Sequence, residues 1–150
     1  MIVKPPNTPS VYKTSVFLAG GISNCPDWQN KLAKTLETNM GETIQIFNPR
    51  WDYKWTAPEQ IEWEFKYLRE VDIISYWFSK GTLNPIVLYE LGMWGNSTGR
   101  PICIGVDPEY ERKLDVVLQT KLARPNIVIS YDLNDLAVDI WKTKNRLERS

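Results

Sequence analysis

Histidine is absent from the 150-residue chain. This absence excludes Ser–His and Cys–His nucleophile pairs, and it removes the commonest protein ligand of catalytic zinc. General acid and base roles must therefore fall to carboxylates, tyrosine, lysine or cysteine. From the missing ligands we predict that the protein uses no metal and no cofactor.

Cysteine is also scarce, since the chain has only Cys25 and Cys103. The two are far apart and show neither a CxxC nor a metal-type spacing, so we expect both to be reduced bystanders. An excess of either charge is lacking too, because 18 basic and 18 acidic side chains balance. This balance argues against nucleic acid or an anionic membrane as a partner.

Long apolar runs are missing, because the longest extend over only six or seven residues. Such runs are too short to span a bilayer, and the N-terminal residues lack the apolar core of a signal peptide. We therefore predict a soluble, cytoplasmic protein. At this length one domain is expected, and we place it at residues 14–150 behind a loose N-terminal arm at 1–13.

Short apolar strands and amphipathic helices alternate along the chain. This alternation predicts an α/β protein in which helices cover both faces of a five-stranded parallel sheet. The predicted strands are 15–21, 43–49, 72–78, 101–106 and 126–130. The predicted helices are 27–41, 58–71, one that begins at Pro85 with Asn84 as its cap, 109–123 and 133–148.

Ligands of parallel sheets bind at the carboxyl ends of the strands, and two predicted loops there could form a site. In the first, Gly20 and Gly21 would let a backbone approach a ligand closely, although two glycines after a strand also form ordinary turns. In the second, residues 48–55, Arg50 could hold an anion or a sugar hydroxyl. The aromatic side chains of that loop could stack on a flat base; they are Trp51, Tyr53 and Trp55.

Two glutamates stand among apolar residues in predicted helices. Glu64 falls within the apolar arc of the helix from Pro58, and Glu90 is the single charge in the stretch "NPIVLYELGMWGN". Helix N-termini favour ionised carboxylates, whereas apolar neighbours raise the pKa of a carboxyl group. Two carboxyls with such environments could divide the roles of nucleophile and acid. Alternatively, both could reach the rim or bond to backbone.

Four segments together resemble the nucleoside 2-deoxyribosyltransferase family and its relatives that hydrolyse deoxynucleoside monophosphates. The segments are "VFLAGGI", "NPRW", "IEWEFKYLREVDIISYWF" and "PIVLYELG". The resemblance implies a flavodoxin-like, Rossmann-like three-layer sandwich and a retaining, metal-independent enzyme of nucleotide salvage. It also implies a homo-oligomer in which a neighbouring subunit completes each active site, with Asn126 supplied across the interface.

In this resemblance Glu90 is the nucleophile that forms a covalent deoxyribosyl ester, and Glu64 protonates the leaving base. Three positions depart from the family's pattern. Phe17 replaces a tyrosine that bonds the nucleophile, Asn84 replaces an acidic residue that touches substrate, and Glu64 replaces an aspartate.

The resulting hypothesis is cleavage or transfer of the N-glycosidic bond of a small nucleoside or nucleotide. Deoxynucleoside 5′-monophosphate hydrolysis is an alternative, and a non-catalytic nucleotide sensor marked by Phe17 is another. Trp51 and then Trp28 would sandwich the base. The expected lining of the sugar is Gly20, Gly21, Ile22 and Asn48.

Overall fold

The computed structural model describes residues 1–9, 13–52, 54–96 and 99–150. Over these residues no helix combines the length and apolar character needed to cross a lipid bilayer. The strands are β1 (Ile2–Val3), β2 (Ser15–Gly20), β3 (Gln45–Phe47), β4 (Ile73–Phe78), β5 (Ile102–Val106) and β6 (Ile129–Ser130). The helices are α1 (Trp28–Met40), α2 (Ala57–Glu70), α3 (Pro85–Trp94), α4 (Lys113–Ala123) and α5 (Leu133–Arg149).

The strands form one parallel sheet in the order β1-β3-β2-β4-β5-β6. The predicted α/β class and parallel sheet are confirmed, but the predicted count of five strands was wrong. The sixth strand is β1, in the segment expected to be a loose arm, where Ile2 and Val3 pair with Ile46 and Phe47. Two paired residues before the prolines at 5–6 are too short a run for a sequence pattern to reveal.

Two hydrophobic cores lie on opposite faces of the sheet. Helices α2, α3 and α4 cover one face, which holds Phe17, Tyr76 and Val87. Helices α1 and α5 cover the other, which holds Leu18 and Trp77. Because the strands are apolar on both faces, covering both removes most of their apolar surface from water. The architecture is therefore a three-layer sandwich.

The starts of α2 and α3 are fixed by different local chemistry. Thr56 and Glu59 form a capping box at the start of α2, with each side chain bonding the other residue's backbone N–H. Pro85 opens α3, as predicted. Asn84 takes the cap position in a left-handed conformation, but its side chain makes no capping bond. The amide instead donates to the carbonyl oxygens of Ser79 and Thr82, so it closes the preceding loop.

The strand order reverses between β2 and β4, where successive strands are added to opposite sides of the sheet. In parallel α/β sheets this switch point opens a crevice at the carboxyl ends of the strands. Here the loop after Gly20 lies against the loop at 79–84 that leads into α3, with Gly21 close to Asn84.

Candidate active site

The space left by Gly20 and Gly21 is already filled by protein. A Cβ on Gly20 would lie 2.2 Å from the indole of Trp28, and a Cβ on Gly21 would lie 2.2 Å from Oδ1 of Asn84. These glycines are therefore needed for close packing at the switch point. Ile22 follows them and is partly exposed.

Trp28 is held inside the molecule rather than at the rim of the site. Its side chain is only 3% exposed, and its indole N–H donates to the carbonyl oxygen of Gly21 over 3.0 Å. Cys25 and Gln29 donate to that same oxygen. Trp28 thus supports the loop after β2 from below, a position that its helical spacing did not reveal.

Arg50 joins the loop after β3 to the start of α1. Its guanidinium pairs with Asp27 at 2.9 Å and also donates to Gln29 and to the carbonyl of Pro26. Asn48 is fully buried, where it accepts from the Arg50 backbone N–H and donates to Asn30. Through these contacts Arg50 and Asn48, both predicted to bind ligand, connect the loop after β3 to the start of α1.

Trp51 lies in the loop after β3. It is partly buried, and its ring packs against that of Trp55 with centroids 5.7 Å apart. The third aromatic of this predicted platform, Tyr53, lies outside the described residues. Trp51 and Trp55 are therefore the two aromatics of this predicted platform whose positions the structure describes.

Glu64 and Glu90 come together between α2 and α3. Each lies in the second turn of its helix, and both helices begin at the carboxyl edge of the sheet. The helices touch through Phe65 and Trp94, whose rings are 5.8 Å apart. Both glutamates are partly buried.

Burial is the main cause that raises the pKa of both carboxyl groups. Burial raises the pKa of Glu64 to about 7, opposed by a hydrogen bond from Gln60. Burial raises the pKa of Glu90 to about 8, and the negative charge of Glu64 raises it further. Two such groups retain protons near neutral pH, which an exposed pair would not.

Two residues of this site escaped the sequence reasoning. Gln60 donates from Nε2 to Oε1 of Glu64, one helical turn away. Tyr76, on β4, is fully buried and directs its hydroxyl to the main-chain oxygen of Glu90 over 3.4 Å. Burial raises the pKa of Tyr76, and the charge of Glu90 adds to the effect. The spacing of four between Gln60 and Glu64 was the one signal available in the sequence.

Phe17 and Asn126 do not contribute side chains to this pair within one chain. Phe17 is 1% exposed, and its ring packs at 5.9 Å from that of Trp63 in the core. Asn126 is exposed and precedes β6, which places it at the amino edge of the sheet. Asn84, as described above, is buried in the loop before α3.

Comparison with known proteins identifies the family of the chain and a similar fold. The family model described as "Nucleoside 2-deoxyribosyltransferase like" matches residues 13–110, which contain both glutamates. No curated protein sequence matches the chain. A crystal structure of a conserved protein from Enterococcus faecalis V583 is similar in fold, with a TM-score of 0.62 and 14% identity over 88% of this chain and 99% of that one. Since the family model covers well over half of the chain, this protein belongs to the nucleoside 2-deoxyribosyltransferase-like family.

Proposed function

We propose that the protein cleaves the N-glycosidic bond of a 2′-deoxynucleoside or its 5′-monophosphate, through Glu90 and Glu64. The carboxyl pair supports this proposal most directly. Two acidic groups lie in neighbouring helices beside the switch point, with raised pKa values and an electrostatic interaction between them. Such a pair can hold one proton and one negative charge at neutral pH, which glycosyl transfer without histidine requires.

In the first step, an oxygen of ionised Glu90 forms a bond to C1′ as the bond from C1′ to the base breaks. The proton of Glu64 passes to the departing base, directly or through water. In the second step, water or another base attacks C1′ and the ester bond to Glu90 breaks. The incoming group gives its proton to Glu64, so the pair returns to its starting state. Two inversions at C1′ retain the configuration of the sugar.

The scaffold residues have distinct parts in this proposal. Trp51 stacks on the base at the rim, and Ile22 provides apolar contact from the loop after β2. Arg50 and Asn48 act through the loops they hold rather than by touching substrate. Trp28 does the same from beneath Gly21.

The active unit is proposed to be a homo-oligomer that shares its sites. Large apolar side chains remain exposed on α2 and α3 beside the glutamates; they are Ile61, Phe65, Ile86, Tyr89 and Met93. A second copy would remove this surface from water. Because Asn126 lies at the amino edge of its own sheet, it could reach a carboxylate pair only in another copy.

A non-catalytic nucleotide sensor is the second candidate. The observation that favours it is Phe17, whose apolar ring takes the position of a hydroxyl-bearing side chain in the family resemblance. A sensor would bind a nucleotide between the same loops without cleaving it.

One panel of substrates separates the candidates. Wild-type protein and Glu90→Gln are incubated with the deoxynucleosides and their 5′-monophosphates, with and without acceptor bases, and free base is measured by chromatography. We expect release by the wild type and loss of nearly all release by the variant. Product nucleoside would indicate transfer, and base without new nucleoside would indicate hydrolysis. Nucleotide binding without any release of base would support the non-catalytic sensor and contradict the enzyme.

A further inference from the structure

Gln60 lies on the rim side of Glu64. The two residues are four apart on α2, which places their side chains on one face of the helix, one turn apart. Gln60 is nearer to the start of the helix at Ala57, and so to the carboxyl edge of the sheet. Its Nε2 donates a hydrogen bond to Oε1 of Glu64.

We propose that Gln60 is a positioning residue that holds the Glu64 carboxylate until a bound base takes over its hydrogen bond. The inference rests on the proposed function, because it assigns the base a role in releasing the acid. Nucleobases carry ring nitrogens and carbonyl oxygens that accept from an amide N–H. The Gln60 amide has two N–H groups, and a base that accepts from the one now bonded to Glu64 displaces the carboxylate from it.

Withdrawal of the amide changes where the proton of the pair resides. A hydrogen bond from Gln60 favours ionised Glu64, and without it the carboxyl in its apolar surroundings gains affinity for a proton. The proton comes from Glu90, so one O–H bond breaks as another forms and the total charge is unchanged. Glu90 is then the ionised nucleophile and Glu64 the acid.

Three other charged or titratable groups interact with Glu64 directly or through one another: Glu90, Tyr76 and Arg100. Glu90 faces Glu64 from α3, and Tyr76 lies beneath Glu90 on β4. Arg100 acts on Tyr76 through its charge while its guanidinium bonds the carbonyls of Leu68 and Arg69 at the end of α2.

The test follows the carboxyl titrations of Glu64 and Glu90 by ¹³C NMR in substrate-free protein. Wild type is compared with Gln60→Met, which keeps side-chain length and removes the donor. Gln119→Met, at an exposed position of α4, is the matched control. Resonances are assigned with Glu64→Gln and Glu90→Gln.

We expect Gln60→Met to raise the pKa of Glu64 by about one unit, as loss of a charge-assisted hydrogen bond should. The pKa of Glu90 should fall, because Glu64 is then charged over a narrower pH range. The control should change neither. An unchanged pKa of Glu64, or two values that fall together as in a loosened, wetter site, would overturn the inference. The titration needs no turnover. An inactive wild type would therefore refute the proposed function, while the effect of Gln60 on the pKa of Glu64 could still be measured.

Discussion

Glu90 is an ionisable residue in a helix whose nearby side chains are apolar, and its surroundings raise its pKa to about 8. A carboxylate in such a position lowers the stability of the folded protein unless it is protonated. The position makes physical sense if the group is needed for chemistry. The same reasoning applies to Glu64, which has the additional donor Gln60.

Replacing Glu90 should therefore stabilise the fold in a pH-dependent manner. Both glutamates have folded-state pKa values above the ordinary 4.5, so the folded protein binds protons that the unfolded chain releases. Their contribution to stability is fully present below about pH 4.5 and is lost as the pH rises through about 7 to 8. Glu90→Gln should melt near the wild-type temperature at pH 4.5 and several degrees higher at pH 8.5.

Thermal melting across this pH range, with Glu62→Gln on the exposed face of α2 as control, measures the effect. A Glu90 that accepted essential hydrogen bonds would give the opposite result. Its replacement would lower the melting temperature at every pH, at a cost of about 1–3 kcal/mol.

Two tryptophans predicted to bind the base should behave differently. Trp51→Ala should raise KM more than it lowers kcat, because stacking is lost equally from the ground state and the transition state. Trp28→Ala should lower the melting temperature strongly, since truncating a buried tryptophan costs about 3–5 kcal/mol. Steady-state kinetics and thermal melting of both variants distinguish these roles. Equal losses of stability would place Trp51 in the scaffold as well.

At the scale of elements, α3 is unusual because only Val87 among its ten residues is fully buried. The apolar arc of α2 is likewise wider than the core requires, since Ile61 and Phe65 remain exposed. Two neighbouring helices thus present apolar side chains on the outside. Sequence periodicity located the apolar arc, but it could not distinguish the part that faces the sheet from the part that faces outward.

A single charged side chain placed on the exposed apolar face of α2 and α3 should prevent its burial in a homo-oligomer. Ile86 is 63% exposed, so Ile86→Glu should leave the monomer folded and prevent its association. Leu122→Glu, at an even more exposed position on α4, is the matched control and should leave association unchanged. Sedimentation velocity gives the assembly state of each variant. If the Ile86→Glu protein associates like wild type, the interface does not include the exposed face of α3.

At the scale of the whole molecule, the alternation of strands and helices sufficed to predict the α/β sandwich. It missed β1, because two paired residues leave no periodic pattern. For the site, apolar surroundings in the sequence singled out Glu64 and Glu90. The packing of Trp28, Arg50 and Asn84 into the loops could not be predicted, because it depends on which strands are neighbours at the switch point.

Turnover by the whole protein should follow a bell-shaped pH profile. With both carboxyls protonated there is no nucleophile, and with both ionised there is no acid. The values of kcat/KM should therefore fall below about pH 7 and above about pH 8, with the two limbs belonging to the pair rather than to single residues. EDTA should leave the profile unchanged. A chelator-sensitive activity, or one that rises steadily with pH, would contradict a reaction carried by two carboxyls.

Covalent trapping shows directly whether Glu90 is the nucleophile. A 2′-fluoro nucleoside analogue slows glycosyl transfer, because the fluorine disfavours positive charge on the sugar. Wild-type protein mixed with this analogue should gain the mass of one fluorinated sugar, and peptide mapping by mass spectrometry should find it on Glu90. Glu90→Gln should gain nothing. A label on any other residue, or turnover that survives Glu90→Gln, would contradict this role of Glu90.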